Sequence, residues 1–348
     1  MKSHHRKCCI AMYAVAALTI TITASAQQIT TFDVPGDVYG TYPTATATGG
    51  AIIGFYGPAD GQAHGFLRNP DGTFATYDPP NMGGDEGTKP VSLNSLGTIV
   101  GFYSDTTNHV HGFIRDDKGN ISVYDVPGSI RTAIYSINAS GAIAGVWRDP
   151  NNVRHGFVRA ANGTLTRFDP PGTADVNLLC FGTCLSPSGE LTGSYLDNSG
   201  TYHGYFRLAG GSITSFDPPG AVNGTLATSL NAAGVIAGIF WDAVYVEHGF
   251  VRNSDGTFTS FDVPGAAGTE PGTINQVGAT TGDWFDPSDV YHGFLRNPDG
   301  SIVTFDIPGA GTNPGEGTIP SGGLGPAGQV IGYYCDDFNC HGFIWIER

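Results

Sequence analysis

From Gln28 onward, short apolar runs alternate with clusters of Gly, Pro, Asn and Asp, and the alternation itself repeats. The clearest copy is HGFLRNPDGSIVTFDIPG, residues 292 to 309. His292 to Arg296 and Ile302 to Asp306 are β-prone, and the Asn-Pro-Asp-Gly between them supplies a turn. There Pro presets φ, Asp bonds its own backbone and Gly accepts positive φ. A hairpin symmetric about that turn sets His292 opposite Asp306 and Gly293 opposite Phe305.

Other copies keep the same spacing in the pairs His64 and Asp78, His111 and Asp125, His155 and Asp169, His203 and Asp217, and His248 and Asp262. QITTFDVPG, ending at Gly36, matches only the second half of the hairpin, with Asp33 in the aspartate position. From Asp33 to Asp306 the equivalent aspartates follow at intervals of 45, 47, 44, 48, 45 and 44 residues. Between the hairpins lies a second pattern, YSINASGAIAGVWRD at 135 to 149, VSLNSLGTIVGFYSD at 91 to 105 and TSLNAAGVIAGIFWD at 228 to 242. It also reads as a hairpin: a strand ending near Asn94, Asn138, Asn231 or Asn275, a turn closed by Gly, then an apolar strand. Each repeat therefore has strands A and B from this pattern and strands C and D from the first. The period suits four short strands with short connections.

The ends of the chain bear on closure. The seventh copy has strands A, B and C, the last as HGFIWIER, but no strand D, and QITTFDVPG is a strand D without a partner. Pairing the two sets Asp33 beside His341 and closes a ring without a free edge. An open solenoid needs no such split and needs polar capping repeats, which neither end supplies. The expected architecture is all-β: a seven-bladed β-propeller of four-stranded blades, a single domain over 27–348, closed by the N-terminal strand completing the C-terminal blade.

The motifs H-G-F-x-R, D-G at the turn, F/Y-D-x-P-G and S-I/L-N-x-x-G-x-I-x-G together resemble the HAF family of probable extracellular repeats, over essentially the whole of 28 to 348. That resemblance implies export and a tandem β fold and adds no chemistry. Two departures stand out: the middle letter is Gly in all seven copies, and Trp345 replaces the arginine in the last. Trp241-Asp242 is the only Trp-Asp dipeptide, so kinship with WD40 repeats is not supported.

The N-terminal 26 residues read differently. Lys2, Arg6 and Lys7 precede an apolar run from Ile10 to Ile22, and Ala24-Ser25-Ala26 matches a cleavage signal, the pattern of a secretory signal peptide. The mature chain is expected to be secreted or periplasmic, without a transmembrane segment, and a monomer. A net charge of −15 over the whole chain excludes nucleic acid and anionic membrane as natural partners. Four cysteines remain beyond the leader, as Cys180 with Cys184 and Cys335 with Cys340. In an exported chain the even number favours two local disulfides over four reduced thiols.

Candidate chemistry is harder to localise. An imidazole held by carboxylates is a general-base arrangement, but a reaction needs one site, whereas seven equal copies suit a structural role. The histidines are therefore expected to bridge the B-C loop to strand D, with B-C aspartates such as Asp105, Asp149, Asp197, Asp242, Asp286 and Asp336 nearby; in the first copy Pro58 replaces that residue and Asp60 follows it. Arg68, Arg115, Arg159, Arg207, Arg252 and Arg296 are expected to pack their stems on apolar neighbours with their heads at a blade seam rather than to bind anions. The Asp-Gly turns lack the ligand spacing of calcium loops, so neither metal nor cofactor is expected.

Function then rests where repeats differ, on the face of the B-C loops. Arg148, Arg154, Tyr202, Trp241, Tyr245, Trp284 and Tyr291 are the candidate binding residues, with Glu247 and Asp283 also departing from their counterparts and His109 as the one mature histidine outside the repeat. The alternative for each aromatic is packing between blades. Two classes remain: an exported, non-catalytic binding or scaffold protein for a carbohydrate or peptide, and an extracellular hydrolase or lyase acting on polysaccharide or a small ligand.

Overall fold

In the computed structural model, residues 27–177, 183–325 and 328–347 are described, and among them every regular element is a β-strand. Five repeats form separate four-stranded antiparallel sheets in strand order A, B, C, D. In the third repeat these strands are Arg131–Ile137, Ile143–Arg148, Arg154–Arg159 and Leu165–Phe168. The sixth and seventh repeats share an eight-stranded sheet, in which the only link between their two runs is a parallel bridge from Tyr291 to Gly317. The sixth contributes Gly268–Ile274, Thr280–Phe285, Tyr291–Arg296 and Ile302–Phe305. The seventh contributes Gly317–Leu324, Gln329–Cys335 and Cys340–Ile346, and its outer strand is the N-terminal Gln28–Phe32, paired antiparallel with Gln28 opposite Ile346 and Phe32 opposite Gly342.

Consecutive repeats pack face to face, and strand A of the seventh returns to strand A of the first, where Ser321 Oγ donates to the Pro43 carbonyl at 3.1 Å. The result is a closed, propeller-like ring with strand A innermost. The hydrophobic core is correspondingly divided into layers between neighbouring sheets. The layer across the junction of the chain ends joins Val34 and Ile331 to Ile52, Tyr56 and Phe66.

The repeated letters explain the repeated contacts. The aromatic residue of His-Gly-aromatic is fully buried as Phe66, Phe113, Phe157, Tyr205, Phe250, Phe294 and Phe343. The glycine before it lies opposite the strand D aromatic, as Gly156 opposite Phe168 and Gly204 opposite Phe216. A Cβ there would run into that ring, which is the physical reason for glycine at this position. The strand C arginines reach across each seam: their guanidinium carbons lie 4.8 to 5.2 Å from the rings of Phe32, Tyr77, Tyr124, Phe168, Phe216 and Phe261 of the preceding repeat. In the seventh repeat Trp345 takes over this role and stacks on Phe305 at 4.2 Å.

Candidate functional site

Two sets of polar residues occupy the face of the B-C and D-A connections, one repeated and one not. In the repeated set, all seven histidines place Nδ1 2.6 to 3.0 Å from the strand D aspartate, His341 reaching Asp33 across the chain ends. Nε2 lies 3.0 to 3.9 Å from a B-C loop aspartate, and in the first repeat Asp60 fills that place. Each ring also packs on an aromatic residue of strand B, most closely on Trp284 and Trp147, at 4.3 and 4.7 Å.

The B-C aspartates are preoccupied by their own loops. Asp149 Oδ1 accepts from the backbone N–H groups of Asn151 and Val153, and Asp242 repeats the pattern with Val244 and Val246. Strand D aspartates reach onward: Asp78 accepts from Thr88 and Asp217 from Thr225, both threonines being in the next repeat. Burial, the largest single influence on His64, His111 and His203, pulls their pKa down, yet the carboxylates Asp78 with Asp60, Asp125 with Asp105, and Asp217 with Asp197 outweigh it and raise the net value. This is a latch that ties strand C, strand D, the loop and the next blade together.

The seven candidate binding residues fall in separate places on the ring, with Arg148 and Arg154 as cross-strand partners and Tyr202 and Trp241 flanking Gly224. Arg154 is ion-paired with Asp175 at 3.1 Å, and Arg148 donates to the Asn152 carbonyl. Trp284 belongs to the histidine latch, and Trp241 donates its indole N–H to Glu247 at 2.7 Å. Tyr245 is 73% exposed at a loop tip with φ of +64°. Tyr202 packs beside Gly224. Tyr291 alone lines a cavity. His109 stays within its own loop, where its Nδ1 lies 2.8 Å from Thr107 Oγ1. Cys335 and Cys340 form a disulfide. The Cys180–Cys184 pairing falls on 178–182, outside the described residues.

The cavity, about 430 Å³, opens where strands A and B of repeats five, six and seven meet, and its wall includes Ile239, Glu270, Asp283, Tyr291, Ile319 and Tyr333. Glu270 and Asp283 are direct cross-strand partners. Burial, then the nearby Glu247 carboxyl and each other's charge, push Glu270 well above the usual carboxylate range; burial and Glu247 do the same to Asp283. Like charges this close do not both ionise readily, which favours the protonated form of Glu270. Glu247 Oε1 accepts from Trp241, and the Glu247 carboxyl also lies within hydrogen-bond reach of Glu270. A proton held by Glu270 satisfies that contact.

Sequence comparison by loops missed Glu270, because it sits inside strand A. The column of cross-strand equivalents shows it at once: the other repeats carry Tyr42, Lys89, Ala133, Asn177, Leu226 and Ile319 there, and Phe55, Phe102, Val146, Ser194, Ile239 and Tyr333 in the place of Asp283. An aromatic strip leads away from the cavity: Tyr333 meets Tyr42 edge-on at 5.1 Å, and Tyr42 stacks on Phe55 at 5.0 Å. Lys89 Nζ lies 3.3 Å from the centre of the Phe55 ring, and burial there pulls its pKa down to about 8. Among the described residues no group of three or more His, Cys, Asp or Glu is arranged to hold a metal ion.

No family model matches the chain, and no curated protein matches it. Solved structures do resemble it in fold. A streptogramin B lyase aligns over 92% of this chain and 98% of its own, at 12% identity and a TM-score of 0.60. A catalytically inactive virginiamycin B lyase from Staphylococcus aureus, solved with quinupristin, aligns over 92% and 99% at 14% identity and 0.60. The β-propeller domain of the Trilobed protease from Pyrococcus furiosus aligns over 87% and 95% at 10% identity and 0.61. At these identities the likeness is one of β-propeller fold alone.

Proposed function

We propose that this is an exported ligand-binding β-propeller of seven blades, of the HAF-repeat kind, whose ligand sits in the cavity between the sixth and seventh blades. Counting seven treats the eight-stranded sheet as two blades, which its single bridge and the sequence period both support. Export is supported by the N-terminal leader pattern and by the Cys335–Cys340 disulfide. No helix among the described residues is long and apolar enough to cross a membrane.

One observation carries the placement of the site: Glu270 and Asp283, cross-strand partners that break the repeat together, both line one concave space, with the Glu247 carboxyl acting on both. Symmetric residues hold a symmetric fold, so residues that break the symmetry jointly have another task. The test is to screen the full chain against glycan and peptide arrays, then repeat each hit with Glu270→Gln and Asp283→Asn. Hits that survive both substitutions unchanged place the ligand elsewhere.

A hydrolase or lyase reading is favoured by a second observation. Asp283 and Glu270 sit at a cavity wall with their ionisation displaced upward, which is a useful property in a general acid or base. Product analysis of the same incubations separates turnover from binding.

A further inference from the structure

The cavity has a conspicuous neighbour on its rim. Phe338 is 92% exposed, in a loop whose ends are joined by the Cys335–Cys340 disulfide. The loop is also held internally: Asp336 Oδ1 accepts from the backbone N–H groups of Phe338 and Asn339, both at 2.8 Å. Asp337 then ties it to the cavity, accepting from Asn313 Nδ2 at 2.6 Å, while Gly315 two residues further on lines the cavity and donates to the Asp289 carbonyl. A phenyl ring this exposed gives the fold almost nothing, yet its backbone is ordered in advance, so a partner burying it meets little ordering cost.

The charge around it is one-sided. Between Asn253 and Glu347 the sequence holds twelve acidic residues and a single basic one, Arg296. That arginine is buried against Phe261 and is not available to the rim. Asp286, Asp289, Glu316, Asp336 and Asp337 lie in the connections around the cavity mouth and Phe338. Lining it, the carboxyls of Glu270 and Asp283 accept hydrogen bonds, and Tyr291 and Tyr333 offer ring faces.

We infer that this rim docks a cationic polypeptide, which lays an apolar side chain on Phe338 and places a lysine or arginine in the cavity beside Glu270 and Asp283. The inference rests on the reading of the cavity as the ligand seat, and adds the class of ligand. A protonated amine or guanidinium donates to these carboxyls and opposes their charge, and the acidic rim speeds its encounter.

The experiment uses the full mature chain and an array of synthetic twelve-residue peptides. In one series Lys or Arg is combined with Leu, Phe or Trp at varied spacing, and in the control series every basic residue is replaced by Gln. A glycan array runs in parallel. The expected result is retention of basic peptides alone, about tenfold weaker with Phe338→Ser and with Glu270→Gln, and weaker in high salt. The melting temperature of Phe338→Ser should equal that of the wild type, which excludes misfolding.

Peptide binding unchanged by Phe338→Ser overturns the inference. So does a neutral glycan that loses binding with Glu270→Gln but not with Phe338→Ser, although the cavity reading then stands. If no ligand on either array responds to any of these substitutions, both fail. Self-association abolished by Phe338→Ser would assign the phenyl to a second copy of this chain instead.

Discussion

The histidine latch and the acidic cavity lie on one face and use the same kinds of residue, yet they are built in opposite ways. In the latch each imidazole has a carboxylate at Nδ1, another within 3.9 Å of Nε2, and an aromatic ring beside it. At the cavity two carboxyls are cross-strand partners and a third, Glu247, crowds Glu270 from beside it. The first arrangement satisfies polar groups and recurs seven times. The second crowds carboxyls together away from water and occurs once among the described residues. A polar cluster that is satisfied and repeated argues for stability, and one that crowds like charges and occurs once argues for a ligand.

The sharpest way to break this comparison is at the fully buried centre of a repeat. Phe157→Ala empties a ring site between neighbouring sheets and should cost about 3 to 5 kcal/mol, read as the denaturant midpoint. A loss under 1 kcal/mol would mean that the repeats are not closely packed. His203→Ala tests the latch itself, with an expected loss of about 1 to 3 kcal/mol from the stranded Asp217. Because the folded pKa of His203 is raised above its ordinary value of 6.5, its charge-dependent share of stability is fully present below 6.5 and is lost as pH rises through the folded pKa. The penalty of His203→Ala should therefore be larger at pH 5.5 than at pH 8.5, and equal penalties would show that the ring is never charged.

The cavity predicts the reverse outcome for substitution. Glu270 and Asp283 also have raised folded pKa values, so the stability they permit is fully present below their ordinary values near 4 and is lost as pH rises through the folded ones. Asp283→Asn removes one of the two charges that alkaline pH forces together. It should raise the melting temperature at pH 8.5 and leave it nearly unchanged at pH 4.5; a fall at pH 8.5 would mean that Asp283 is satisfied in the free protein. The smallest effect is expected at the loop tip, where Tyr245→Ser should move stability by less than about 0.5 kcal/mol, since the ring is mostly in water.

Most of the repeat was legible in the sequence because it depends on local chemistry. The Asn-Pro-Asp-Gly turn sets the strand C to strand D register, so Gly293 lies opposite Phe305 and each histidine lies near its aspartate. The unpaired strand at Gln28 could likewise be matched to the seventh repeat. The cavity was less legible. Asp283 stood out, but Glu270 did not, because its significance depends on the residue across from it and on Glu247 one blade away. Trp241 and Trp284, read from the sequence as candidate binding residues, contact Glu247 and His292.

The division follows from what each level specifies. Alternation, turn residues and a constant period determined strands, hairpin register and the pairing of the two chain ends, since each needs only neighbours in sequence or complementary halves of one motif. Which side chains meet around the axis was decided by the ring, which brings residues from three repeats to one cavity and removes them from water together. Desolvation and mutual repulsion, the forces that set this site apart, exist only once that enclosure has formed.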